Sequence, residues 1–164
     1  MDRWNLLCYL VLGLDITSVN TLTALFVAYD DITGYRKHLL VVRLDGRELF
    51  NIPKEFKNLE LCKAAVQQNG TVLGYVPEGL MTLEICLIAF QQSGIELYYV
   101  PYNLRTPLLC EAAVKQNGHA LMYVPDNLRT PLLCLEAVKQ IGIALCYVPI
   151  ELRTPEICLA AVQQ

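Results

Sequence analysis

The chain has 164 residues, of which 54% are hydrophobic, and it carries a formal net charge of −3. That length makes one domain the default, and the slightly acidic balance excludes broad attraction for a polyanion such as DNA or RNA. So apolar a chain suits an array in which neighbouring units cover one another.

Residues 1–32 read as an N-terminal helical cap. Trp4 to Leu14 and Ile16 to Tyr29 are uncharged and largely apolar, separated by Asp15. Neither run reaches the ~18–20 residues that cross a bilayer. Joined, they would bury Asp15 at a cost of about 2.5–3.5 kcal/mol. The expectation is two helices over the end of the array and no membrane span, with a membrane hairpin as the lesser alternative. Met1-Asp2-Arg3 is no basic start of a secretory signal.

Residues 33–51 read as a degenerate unit. The segment Gly46 to Pro53 aligns with Gly94 to Pro101, and Thr33 then stands near the start of a helix over Tyr35 to Leu44. Asp45-Gly46 between LVVRL and RELF also fits a β-hairpin. The repeat register is preferred because it accounts for both Gly46 and Pro53.

From residue 52 the repetition is plain. Cys62, Cys86, Cys110, Cys134 and Cys158 stand 24 residues apart, each within nearly the same words. One copy is VPDNLRTPLLCLEAVKQIGIALCY, residues 124–147. Four copies over 52–164 are complete, and the fifth stops at Gln164, so the array reads as truncated. A period of this length marks a solenoid whose units bury their apolar faces only against each other. The fold class is all-α: tandem units of a longer α-helix plus a short α- or 3-10 helix.

The third copy shows the grammar. Thr106 suits an N-cap and Pro107 the first helical position. Leu109, Cys110, Ala113 and Val114 fall on one helical face. Asn117-Gly118 then reads as a stop, with the glycine free to turn left-handed. The helix runs from about Pro107 to Gln116. His119 to Val124 allows one or two further turns before Pro125 bends the chain.

Three further ladders recur. The cysteines read as small buried hydrophobes, because stacked helices lie ~8–10 Å apart whereas a disulfide needs Cα atoms within about 7 Å. That implies a reducing, cytoplasmic compartment. Gln68, Gln92, Gln116, Gln140 and Gln164 read as amides tying adjacent units by hydrogen bonds. Tyr75, Tyr99, Tyr123 and Tyr147 read as packing between units with hydroxyls at the rim. The sharper alternative for these rings, a platform for single-stranded nucleic acid, is opposed by the acidic balance.

The wording TPxxCxxAVKQxGxALxYVP, as in Thr130–Pro149, resembles a domain-of-unknown-function repeat family. It occurs in tandem copies, chiefly in amoeba-associated intracellular bacteria and some large viruses. The resemblance covers 52–164 well and 33–51 loosely, and carries no catalytic motif. It implies a candidate host-directed effector, or part of one, whose repeats contact proteins and which reaches a host cytosol. In period and in alternating helices the chain also resembles leucine-rich-variant solenoids, at the level of fold.

The residues themselves offer little chemistry. His38 and His119 sit in non-equivalent places, and no His-Glu-x-x-His, phosphate-binding glycine loop or CxxC pair occurs. No enzyme activity, cofactor, metal or small-molecule substrate is expected. Cys146 with His119 one unit away makes a poor nucleophile–base pair.

Binding is the stronger class. The residue after the repeat proline varies freely (Lys54, Glu78, Tyr102, Asp126, Ile150) on a constant frame, which is where a solenoid places specificity. Tyr102 and Ile150 are therefore the leading contact candidates. Arg105, Arg129 and Arg153, with Lys57 in the same place and Met81 interrupting, are candidates for an edge facing an acidic partner. Exposed charges often do no more than solvate a rim. The expected function is a non-catalytic protein–protein scaffold. The alternative is an accessory or regulatory segment of a larger enzyme.

Overall fold

The computed structural model describes residues 35–163, with side-chain surroundings from residue 37 onward. The cap expected over 1–32 lies outside the described residues. Six α-helices follow in order: α1 (Tyr35–Leu44), α2 (Leu59–Gln68), α3 (Leu83–Phe90), α4 (Pro107–Gln116), α5 (Pro131–Gln140) and α6 (Pro155–Val162). Each consecutive pair is joined by a six-residue 3-10 helix and a three-residue 3-10 turn, such as Gly94–Tyr99 and Tyr102–Leu104. No strand occurs among the described residues. The hairpin alternative around Asp45-Gly46 is thereby replaced by α1 and the 3-10 helix Gly46–Asn51. The chain is an all-α solenoid.

The helix starts follow from the capping residues. Asn58 Oδ1 accepts the Leu61 N–H at 2.9 Å, and Thr130 Oγ1 accepts that of Leu133 at 3.2 Å. Thr82, Thr106 and Thr154 do the same for α3, α4 and α6. Prolines 107, 131 and 155 occupy the first turn, where the missing N–H is harmless.

The stop works differently from the expectation. Asn117 is extended, with φ −154° and ψ 114°, and its side chain accepts the His119 N–H to start the following 3-10 helix. One residue thus ends the α-helix and caps its successor, and Asn69 repeats the device. The glycine after it adopts no left-handed conformation. It is required by proximity: a Cβ at Gly118 would lie 2.6 Å from the Ala137 carbonyl oxygen, and one at Gly70 2.8 Å from that of Ala89. The next unit's helix packs directly on the glycine.

The 3-10 form has a geometric reason. Six residues rising ~2.0 Å each span ~12 Å, close to the ~15 Å of a ten-residue α-helix. A short segment can therefore run the length of the α-layer. Consecutive α-helices form one layer and consecutive 3-10 helices a second, each 3-10 helix touching the α-helix of its own unit and of the next.

The core lies between the layers and between the units. The stripe expected on α4, comprising Leu109, Cys110, Ala113 and Val114, is buried, as are its counterparts on α2, α3 and α5. Val114 and Val138 are fully buried, whereas Val162, at the same point of the last described unit, is 84% exposed.

Candidate interaction surface

The arginines expected at an edge turn out to fasten the frame. Arg105 donates from Nε to the Val100 carbonyl at 2.9 Å and from its terminal nitrogens to the carbonyls of Tyr123 (2.7 Å) and Tyr98 (3.3 Å). Arg129 repeats this with Val124 and Tyr147, and also pairs with Asp126 at 2.9 Å. Lys57 reaches the Tyr75 carbonyl at 3.2 Å. Arg105 and Arg129 therefore each link the end of their own 3-10 segment to the same point one unit later, and Lys57 reaches the later point. Arg105 and Arg129 are half-buried rather than lying on a solvated rim. Arg153 keeps the bond to its own segment, Nε to Val148 O at 3.0 Å, and is exposed. Met81, at the same point in its unit, is buried instead.

The glutamines also clamp, through backbone carbonyls rather than amide to amide. Gln92 Nε2 donates to the Val66 and Gln67 carbonyls, and its Oε1 accepts the Gly70 N–H at 2.7 Å. Gln140 does likewise to Val114 and Lys115, and Gln68 to Leu44. These carbonyls belong to a helix's last turn, where no partner exists within the helix. Three units thereby cap their predecessors. Gln116 shows no such bond among the described residues, and Gln164 lies outside them.

The cysteine ladder is apolar filling. Cys62, Cys86, Cys110 and Cys134 are buried free thiols, and Cys158 is half-buried. Desolvation pushes Cys62, Cys86 and Cys110 up to about 11, against weaker lowering by Lys57 at the first and Arg105 at the third. They are therefore protonated and unreactive near neutrality. Among the described residues no three His, Cys, Asp or Glu side chains gather as a metal site, and no helix is long and apolar enough to cross a membrane.

The post-proline position is solvent-facing in every unit. Tyr102 is 68% exposed and Ile150 80%. Ile150 and Arg153 line one open groove of about 550 Å³ together with Arg129. Tyr102 stands apart from it, with the Arg105 guanidinium carbon 5.9 Å from its ring centre. Arg129, Ile150 and Arg153 thus share this groove, and Tyr102 and Arg105 are not part of its lining.

A further surface emerges only from the fold. In a 3-10 helix residues three apart eclipse, so the second and fifth positions of each six-residue segment project together. From Gly70 to Tyr147 these outward positions, with the half-open sixth, hold no Asp, Glu, Lys or Arg. Tyr75, Tyr98, Tyr99 and Met122 are exposed there. Tyr98 meets Tyr99 at 5.1 Å and Tyr123 at 5.2 Å between ring centres, and Phe50 meets Tyr75 at 5.1 Å. The tyrosine ladder does pack between units, as expected, yet remains open to solvent on one side. The α-layer shows water a different face, with Lys63 paired to Glu84 across two units.

Comparison with known proteins agrees with this repeat plan. The family described as Domain of unknown function (DUF4116) matches residues 39–81, 58–105 and 82–129, together more than half of the chain. The chain belongs to the DUF4116 family. The second and third matches begin 24 residues apart, so one DUF4116 domain spans two structural units and slides along the array by one. No curated protein and no solved structure matches.

Proposed function

We propose that this DUF4116 array is a non-catalytic protein–protein interaction scaffold of a reducing compartment. The observation that carries the reading is a division of labour within each unit. Repeated polar groups bond backbone carbonyls between units, whereas the post-proline position stays exposed and changes chemistry from copy to copy. Such a surface varies contacts without disturbing the frame. The buried free thiols suit a compartment in which cysteines remain reduced. Delivery to a host cell is a finer proposal of this scaffold reading, and service as an accessory or regulatory segment of a larger enzyme is its alternative.

The test is proximity labelling with the wild-type chain and with Tyr102→Asp and Ile150→Asp, each checked for unchanged helical circular dichroism. The expected result is loss of a specific subset of neighbours with each variant. Retention of every neighbour by both would refute the surface assignment.

A further inference from the structure

The unit built from α3 and the 3-10 helix Gly94–Tyr99 departs from its neighbours inside, at its start and along its edges. Inside, Glu96 is 5% exposed where the adjoining units bury Val72 and Ala120. At the start of the 3-10 helix, Ser93 makes no side-chain bond to the backbone, whereas Asn69 and Asn117 cap the same place in the adjoining units. The Ser93 hydroxyl bonds the Glu96 carboxyl instead.

The edges differ in their polar ties. Between the units of α1 and α2 there is one tie in each layer, Lys57 to the Tyr75 carbonyl and Gln68 to that of Leu44. Between the units of α4 and α5 there are again both, Arg129 to Tyr147 and Gln140 to Val114. The unit of α3 keeps one on each side. Towards α2 it has Gln92, but Met81 stands where Lys57, Arg105 and Arg129 carry a cation. Towards α4 it has Arg105, but Gln116 is exposed and makes no bond to the described residues. α3 spans 8 residues against 10 in α2 and α4, and its tightened last turn carries the Gln92 N–H to the Ala89 carbonyl. The exposed Lys63–Glu84 pair compensates little, because solvent screens it.

No opposite charge steadies Glu96. It forms no ion pair with the described residues. Its segment packs on α3, α4 and the 3-10 helices Gly70–Tyr75 and Gly118–Tyr123. Glu84 on α3 and Glu111 and Lys115 on α4 are exposed, Cys86 and Cys110 are buried free thiols, and the 3-10 helices bring only His119 and tyrosines. Desolvation raises the Glu96 carboxyl above the ordinary 4.5, so its ionised form favours a state in which water reaches it. Below 4.5 the carboxyl is protonated open or closed, and the unit's stability is intact. As pH rises through the higher folded value, opening releases a proton and becomes easier.

We propose that this unit is a pH-governed hinge of the array, α3 and Gly94–Tyr99 opening locally as pH rises while the units on either side stay folded. Because each unit touches only its neighbours, the opening separates α1 and α2 from α4, α5 and α6. This device does not depend on the scaffold reading.

The buried cysteines report such openings, since each of α2 to α5 carries one and a buried thiol reacts only when its surroundings open. The full chain is treated with N-ethylmaleimide, and labelling rates at Cys86 and Cys134 are read from peptides by mass spectrometry. Their ratio cancels the thiol's own dependence on pH. The expected result is a Cys86 to Cys134 ratio that rises severalfold from pH 5 to pH 8 in the wild type and stays level in Glu96→Gln. Met81→Arg, which supplies the missing cation, should lower the ratio at pH 8 about tenfold, the effect of one charged hydrogen bond. If Met81→Arg loses its helical circular dichroism, the Glu96→Gln comparison decides alone. A ratio indifferent to pH, an equal rise in Glu96→Gln, or no slowing in a folded Met81→Arg would overturn the proposal.

Discussion

Glu96 is the charged residue that the 3-10 layer buries among the described residues. It is 5% exposed, and its counterparts in the adjoining units are Val72 and Ala120, both buried. Desolvation raises its carboxyl above the ordinary 4.5, against partial lowering by a hydrogen bond with Ser93. A carboxyl raised in the folded state binds more protons folded than unfolded, so ionisation favours unfolding. Its contribution is therefore intact below pH 4.5 and is lost as pH rises through the higher folded value. Glu96→Gln should raise the thermal midpoint at pH 7, with the gap from wild type closing as the pH falls towards 4. A gap that widens on acidification would contradict this account.

At the scale of the element, the decisive contact is glycine against the next helix. Replacing glycine by alanine ordinarily gains about 0.4–1 kcal/mol by restricting the unfolded chain. At Gly118 a Cβ would stand 2.6 Å from the Ala137 carbonyl oxygen, backbone that cannot yield without shifting α5. Overpacking of this kind costs about 1–3 kcal/mol, so strain wins. At Gly79 no atom lies within 4 Å of the added carbon, so only the gain remains. Gly118→Ala should therefore lower the urea midpoint and Gly79→Ala leave it equal or higher. Equal loss at both sites would mean that the helices do not pack on the glycines.

For the whole molecule, stability is distributed as contacts between neighbours, because no single centre gathers all the units. α4 packs on both α3 and α5, whereas among the described residues α6 packs on α5 and leaves Val162 and Leu159 exposed. Local opening should be easiest where a neighbour is missing. Hydrogen exchange should run about tenfold or more faster in Pro155–Val162 than in Pro107–Gln116. Uniform protection along the array would instead indicate one cooperative core.

Period, helix bounds and the buried stripe were determined by the sequence alone. Thr106-Pro107 at the start, Asn117-Gly118 at the end and Leu109, Cys110, Ala113 and Val114 between them are local rules written several times over. The role of each repeated polar or small residue was decided by tertiary structure. Gly118 looks like a flexible stop until Ala137 is seen against it. Arg105 looks like a free edge charge until the Tyr123 carbonyl, eighteen residues on, is found in its reach. The aromatic face was hidden for the same reason. Its signal, outward positions without charge from Gly70 to Tyr147, has meaning only once the segment is known to be 3-10, with residues three apart in line. Sequence periodicity reports which positions are equivalent; stacking decides what each equivalent position touches.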